Sequence, residues 1–341
     1  MKSFSIQVSG AEDQAFRCDE DDTILGGALR NGNGFPYECN SGGCGSCQFE
    51  LIDGEVDELW SDAPGLSPRA RERGRRLACQ CVPKTDLTIK ASFRDEYVPA
   101  VMPKRQKLAL VGLTRLTSDM SEFSFKAEQG AEFLPGQFAM LGLPGVEGLR
   151  AYSMSNLPND EGLWNFVIKR VPGGKGTAFL FDTLKAGDEI SLDGPYGNSY
   201  LRTGNGRDIV CVAGGSGLSP VLSILRGAVQ ASELNDRRLL LFYGGRGPQD
   251  ICVSDIIAAD PLLSERVELH TAISDDEAPG ARDWTGERGF VHELVKNTLG
   301  EDIKGFDYYF CGPPPMTDAV QRLLLLEYKV PSKQMYFDRF Y

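Results

Sequence analysis

The residues with the clearest chemical use lie in YECNSGGCGSCQFEL, where Cys39, Cys44 and Cys47 stand in a C-x4-C-x2-C arrangement. Thiolates at that spacing wrap a loop around an iron–sulfur cluster, and a distant fourth cysteine completes a [2Fe–2S] site. Gly42, Gly43 and Gly45 let the loop turn tightly and bring N–H groups towards the sulfur atoms. A zinc knuckle is the competing reading. It favours separated C-x2–4-C pairs or histidine partners, which a glycine-rich loop fits poorly. Downstream, RLACQCVPKTDLTIK offers Cys79 and Cys81 with one glutamine between them. A strand there leaves both on one face, whereas a turn points only one inward.

A second group of residues lies mid-chain. Arg150, Tyr152 and Ser153 in RAYSMSN can grip a diphosphate, cover an aromatic ring and hydrogen-bond its edge. In VIKRVPGGKGTAF, the GGKGT stretch offers backbone N–H groups and a positive charge near a helix start, which suits phosphate. DGPYGN follows. Further on, AGGSGLSP comes after an apolar strand and reads G-x-G-x-x-P, not the G-x-G-x-x-G of a dinucleotide fold. Its Pro220 suits the first turn of a helix. FYGGR and YFCGPPPM also end apolar runs.

Elements must hold these groups in place. A chain of 341 residues suggests two or three domains, and 41% hydrophobic with 25% charged residues is ordinary for a globular protein. No run of about eighteen apolar residues is present to span a membrane. MKSFSIQVSG lacks the apolar core of a secretory signal, so a cytoplasmic protein is expected. In that setting nine cysteines point to metal or redox use rather than disulfides. A net charge of -12 excludes a nucleic-acid partner, which would need a basic face. The two histidines, His270 and His292, read as a strand end and a helix position without a site role.

Two seams divide the chain. FRDEYVPAVMPKRQK reads as a linker, and LRTGNGRD as a turn before a strongly apolar strand. The resulting expectation is a domain over 1–95, a linker over 96–106, a second domain over 107–204 and a third over 205–341. The middle piece alternates short apolar runs with Gly/Pro turns, the pattern of a small antiparallel barrel. The last piece alternates strands with helices, which means a parallel, doubly wound sheet. Six acids between Glu50 and Asp62 read mostly as solvated surface, with a docking face for a basic partner as the sharper alternative. PRARERGRR reads as a solvated helix.

With its three-cysteine loop and L-A-C-Q-C-V-P, the stretch 1–92 resembles a plant-type ferredoxin, hence a β-grasp fold. In that family the last cysteine precedes a proline by four positions, as Cys79 precedes Pro83. The resemblance makes Cys39, Cys44, Cys47 and Cys79 the cluster ligands and Cys81 a buried bystander. Cys18, Cys211 and Cys252 read as small buried hydrophobes. The mid-chain motifs, taken in order, resemble the ferredoxin–NADP reductase superfamily, hence a flavin barrel and a nicotinamide domain. That resemblance implies that Arg150 holds the FAD pyrophosphate, Tyr152 lies against the isoalloxazine and Ser153 approaches its N5. Lys169 and Val171 would line the ribityl side, with Gly174, Lys175, Gly176 and Thr177 at the diphosphate. Gly214, Gly215 and Gly217 would form the nicotinamide turn, and Cys311 with Gly312 would sit near the nicotinamide. NADH is favoured over NADPH, because only Arg246 after FYGG could meet a 2′-phosphate and Asp250 follows soon after.

The whole chain, through FPYECNSGGCG, LWSDAPGL, DGPYG, CGPP and FDRF, resembles reductase components of multicomponent monooxygenases, including the toluene 4-monooxygenase reductase group. The implied activity takes hydride from NADH onto FAD and passes single electrons through the [2Fe–2S] cluster. The implied receiver is a Rieske-type ferredoxin or an oxygenase component, with no membrane involved. Ring-hydroxylating dioxygenases and deoxysugar dehydratases use reductases of the same modules, and a cluster-based redox sensor is the reading from another class. The ending QMYFDRFY should be buried. Tyr336 reads as closing a sheet. Phe337 and Phe340 are candidates to shield the flavin, with Tyr341 less favoured, and Asp338 could meet the flavin edge or the nicotinamide amide.

Overall fold

A computed structural model of the chain describes residues 2–339. Phe340 and Tyr341 of the aromatic ending lie outside the described residues. The chain opens with β1 (Ser3–Val8) and β2 (Phe16–Asp19), then α1 (Ile24–Arg30). After the cysteine loop come β3 (Gln48–Asp53), β4 (Val56–Glu58), α2 (Pro68–Glu72), β5 (Arg75–Leu77), β6 (Cys81–Pro83) and β7 (Leu87–Lys90). The sheet order is β2-β1-β7-β3-β5, with β4 paired to β6 beside it. α1 starts because the Thr23 hydroxyl accepts the Gly26 N–H at 3.0 Å, an N-cap. Its Ile24, Leu25, Ala28 and Leu29 are buried in the domain core. Gly27 permits the close approach, since a Cβ there would stand 2.7 Å from Cys18 Sγ. A sheet gripping one helix in this way is the expected β-grasp.

The arginine-rich run departs from expectation. Its helix ends at Glu72, Gly74 turns the chain at φ +77°, and Arg75 and Arg76 enter β5. The acids nearby are partly spent: Glu58 pairs with both Arg71 and Arg76, and Asp57 pairs with Lys84.

The second domain contains β8 (Lys104–Arg115), β9 (Met120–Lys126), β10 (Phe138–Gly142), β11 (Arg150–Ser153), β12 (Leu163–Lys169), α3 (Lys175–Ala178) and β13 (Glu189–Tyr196). The order β11-β10-β13-β8-β9-β12 is antiparallel throughout, and a Met154–Phe166 bridge joins the two ends into a barrel. Its interior is filled by rings such as Phe123, Phe125, Trp164 and Phe166. β8 starts at Lys104, inside the segment expected as linker. The rest of that segment is tied down as well: Arg94 N–H bonds Gly34 O at 2.8 Å, and Tyr97 packs on Tyr37.

The third domain follows with β14 (Asp208–Gly214), α4 (Leu218–Gln230), β15 (Leu239–Gly245), α5 (Val253–Ala259), α6 (Pro261–Arg266), β16 (Val267–Ile273), β17 (Glu287–Arg288), α7 (Val291–Leu299), β18 (Phe306–Gly312), α8 (Pro314–Arg322) and β19 (Met335–Arg339). All its strands are parallel, in the order β17-β16-β15-β14-β18-β19. β14 and β18 are buried almost throughout, as a sheet covered on both faces requires. The chain winds outward from β14 through β17, then returns to β18 on β14's other side. That reversal opens a crevice at the carboxyl ends of β14 and β18, where such sheets bind ligands. Tyr336 closes the edge, stacking on Tyr309 at 4.9 Å. His270 lies within β16 and His292 within α7.

The cores run into one another. Phe138, Met140 and Tyr196 of the barrel belong to the first domain's core, while Met120 and Val167 belong to that of the third.

Candidate functional site

The cysteine loop places four thiols as two pairs. Cys47 Sγ lies 3.4 Å from Cys79 Sγ, and the Cys44 thiol bonds Cys39. Thiolates sharing one tetrahedral metal at about 2.3 Å stand roughly 3.7 Å apart, so each pair suits one metal atom of a two-metal cluster. Among the described residues no three His, Cys, Asp or Glu side chains converge on a single ion. Ser41 and Cys44 N–H groups point at Cys39 Sγ, and Ser46 N–H at Cys44 Sγ, each at 3.4 Å. The Cys44 thiol and these donors hold Cys39 well below the usual thiol range against its burial, and Cys44 is pushed up in turn. The donor set fits a [2Fe–2S] cluster. Cys79 occupies a 3-10 turn (Ala78–Gln80), whereas Cys81 begins β6 opposite Glu58 and faces the core. Burial pushes the Cys81 thiol up to about 12.

One cavity of about 270 Å³ joins all three domains. Glu38, Cys39 and Ser41 of the cysteine loop line it, as do Arg150, Tyr152 and Ser153 of β11. Val167, Lys169, Val171 and Thr177 come from β12 and the turn after it, and Phe337, Asp338 and Arg339 from β19. Among the described residues Arg150 donates only to the Leu149 carbonyl, at 3.1 Å. Among the described residues no carboxylate pairs with Arg150 or with the exposed Lys175. Between these cations, Gly176 packs so closely that a Cβ would lie 3.4 Å from Arg150 Cγ and 3.7 Å from the Tyr152 hydroxyl. Two uncompensated cations beside exposed backbone amides fit a diphosphate. Burial pushes the Tyr152 phenol up to about 12, so it stays neutral.

Other expected residues have additional partners. Thr177 Oγ1 accepts the Val171 N–H at 3.1 Å and donates to the Gly174 carbonyl, stapling the turn that carries Gly174. Lys169 pairs with Asp119 at 3.2 Å and lies 3.8 Å from Asp250, spanning the barrel and the third domain. The N–H groups of Arg246 and Gly247 both donate to Asp250, and the Arg246 side chain is exposed.

The glycine turns after β14 and β18 are packed against each other. A Cβ on Gly217 would stand 2.0 Å from the Cys311 carbonyl, and one on Gly312 would stand 3.0 Å from the Gly214 carbonyl. Gly215 takes φ +56° beside the Lys169 stem. These turns need glycine and leave backbone amides at the crevice, which fits a dinucleotide. Cys311 is fully buried behind β19, in register with Asp338, and does not line the main cavity.

In β19, the Phe337 ring stacks on Phe310 at 4.7 Å and packs in the core on one face of the sheet. Asp338 points from the other face and accepts the Ser199 hydroxyl at 3.1 Å. Burial holds its carboxyl up near 7, with Glu38 and Cys39 adding to the effect and Ser199 opposing it. Sequence reasoning missed Glu38 and Ser41 on the cavity wall, and Ser199, which reaches the site through Asp338. It also missed Ser219, which accepts the Val167 N–H at 3.0 Å and donates to the Ser153 carbonyl at 2.7 Å, binding α4 to the flavin strand. The first two lay within the quoted cysteine motif; the serines carry no local signal.

Comparison with known proteins agrees with this construction. Residues 6–84 match the 2Fe-2S iron-sulfur cluster binding domain, residues 107–200 the oxidoreductase FAD-binding domain, and residues 211–322 the oxidoreductase NAD-binding domain. The chain is 43% identical to a ferredoxin–NAD(P)(+) reductase of Metapseudomonas resinovorans, covering 95% of this chain and 96% of that protein. It is 39% identical to the ferredoxin–NAD(+) reductase component of the alkene monooxygenase system of Xanthobacter autotrophicus, covering 96% and 98%. The solved ferredoxin reductase in carbazole 1,9a-dioxygenase superposes with a TM-score of 0.91 at 38% identity, covering 100% of this chain and 99% of that one. No helix among the described residues is long and apolar enough to cross a membrane. With a paired-cysteine loop, a flavin barrel and a nicotinamide domain meeting at one cavity, the chain belongs to the family of iron–sulfur flavoprotein ferredoxin–NAD(P)+ reductases that serve oxygenase systems.

Proposed function

We propose that this protein is the reductase component of an aromatic or alkene monooxygenase, delivering single electrons from NADH to a Rieske-type ferredoxin or to the oxygenase component itself. The observation that carries the reading is the shared cavity, lined both by Cys39 and Ser41 of the cluster loop and by Tyr152 and Ser153 of the flavin strand. When bound, FAD and the [2Fe–2S] cluster supply two-electron uptake from NADH and one-electron release. The overall balance is NADH plus two oxidised acceptors giving NAD+, a proton and two reduced acceptors.

The protein's own residues do the positioning. Arg150 and Lys175 hold the diphosphate, with Gly174, Gly176 and Thr177 shaping the turn beneath it. Tyr152 and Ser153 set the ring's place, and Lys169 and Val171 border the ribityl side. Gly214, Gly215, Gly217 and Gly312 let the nicotinamide nucleotide approach the crevice, with Cys311 behind it and Arg246 at its adenosine end. Phe337 and Asp338 belong to the tail that nicotinamide must pass. Asp250 already takes the amides beside Arg246, and Asp275 and Asp276 follow β16, so this end disfavours a 2′-phosphate.

A reductase serving a ring-hydroxylating dioxygenase is the second reading, favoured by the carbazole 1,9a-dioxygenase likeness. Steady-state NADH oxidation by the holoprotein, with a Rieske-type ferredoxin or a diiron oxygenase component as sole acceptor, separates the readings. Reduction of one of them, with higher kcat/KM for NADH than for NADPH, supports the proposal. Failure to reduce either, with cytochrome c reduced freely, contradicts it.

A further inference from the structure

The first domain and the barrel meet through a partly buried cluster of charges that none of the cofactors requires. Arg30, the last residue of α1, grips two carboxylates at once. Its Nε and Nη2 donate to Asp22 at 2.7 and 2.8 Å, and its Nη1 and Nη2 donate to Asp193 of β13 at 2.8 and 3.0 Å. Asp22 and Asp193 expose only 6% and 13% of their side chains. Arg105 of β8 closes the ring, reaching Asp22 at 2.8 Å and Asp193 at 3.5 Å, and pairs outside it with the exposed Asp21 at 3.0 Å. The Tyr196 hydroxyl adds a bond to Asp193 at 2.8 Å. A guanidinium fork can hold both acids in one plane, which an ammonium cannot.

This ring sits beside the cluster loop. Tyr37, two residues before Cys39, accepts the Gly197 N–H at 2.8 Å and meets the Tyr196 ring edge-on at 6.2 Å. Phe138 and Met140 of β10 complete an apolar seam with the first domain's core, and β10 is the strand that pairs with β11. The path from the charge ring to Cys39 and the path to Tyr152 are therefore both short and packed. The connecting segment adds no slack, because Arg94 bonds Gly34 and Tyr97 packs on Tyr37.

We propose that the Arg30–Asp22–Asp193–Arg105 ring is an interdomain clamp that fixes the cluster loop against the flavin strand, so that electrons pass between them without domain swinging. Arg30 is thus a positioning residue for internal electron transfer. Buried ion pairs are a poor source of stability and are better suited to fixing register, which is the use assigned here. The inference rests on the reading of the shared cavity as the flavin site.

The test uses the full-length holoprotein in anaerobic stopped flow. NADH is mixed in, and flavin bleaching and cluster bleaching are followed as separate phases. In the unsubstituted protein the cluster phase should not respond to added glycerol or salt, because a clamped pair needs no diffusion and a buried pair is weakly screened. Arg30→Lys keeps the charge but loses the fork. It should slow the cluster phase severalfold and make it viscosity-dependent, because the two domains can then move relative to each other. Flavin bleaching and ferricyanide reduction should stay unchanged. Arg30→Gln should act more strongly in the same direction. A cluster phase in the unsubstituted protein that slows with viscosity overturns the clamp, even if neither variant folds. Folded variants whose two phases are unchanged, or fall together, overturn it as well. If NADH never reduces the cluster in the unsubstituted protein, it is the reading of the cavity that fails, a distinct result.

Discussion

Cys79 and Cys81 are one residue apart in sequence but belong to different structures, because the chain makes a 3-10 turn before entering β6. Cys79 is aimed at Cys47, and Cys81 at the domain core. Cys79→Ser should therefore abolish the cluster's visible absorption and its reduced-state EPR signal. Cys81→Ser should keep both, at a stability cost of about 1–3 kcal/mol for a buried hydroxyl left without a partner. Loss of the cluster in Cys81→Ser alone would reverse the ligand assignment. The three-cysteine loop was legible because ligand spacing is a local property. The choice of Cys79 as fourth ligand came only through the family resemblance, since residue alternation leaves both cysteines on one face of a strand and only the turn separates them. Arg30 and Asp193 gave no signal either, because their meeting depends on where two domains dock.

At the scale of elements, the strand–helix alternation of the third domain was readable from its buried apolar strands, as at β14 and β18. The expected linker was less so. Proline and mixed charge describe residues 96–106 as a linker, yet pairing with β13 draws β8 back to Lys104. Composition reports local preference, and cross-strand hydrogen bonds override it. The C-terminal segment shows the same balance. Side-chain alternation along β19 puts Phe337 on Phe310 and turns Asp338 to the Ser199 side. Deleting residues 337–341 should thus strip the tail's cover from the cavity. Flavin fluorescence and the NADH-driven flavin reduction rate should change, while the cluster's absorption spectrum stays as it was. A folded truncation with unchanged flavin environment and rate would make the tail purely structural.

For the whole molecule, the consequential fact is that three domains share continuous cores and one cavity. Domain order was visible in the motifs; domain docking was not, because no sequence period encodes which faces meet. The Ser219 bridge to Val167 and Ser153 ties the nicotinamide side to the flavin strand, as the charge ring ties the cluster side. The flavin strand is held from both directions, so the account requires an ordered flow from nicotinamide to flavin to cluster. Freeze-quench EPR of the anaerobic holoprotein after mixing with one equivalent of NADH tests that flow most directly. The account predicts a reduced-cluster signal that grows only after flavin absorbance has fallen, with its acceptor-reducing electrons lost in Cys79→Ser. A cluster that stays oxidised while the flavin is reduced, or protein acceptors reduced at full rate without it, would contradict the account.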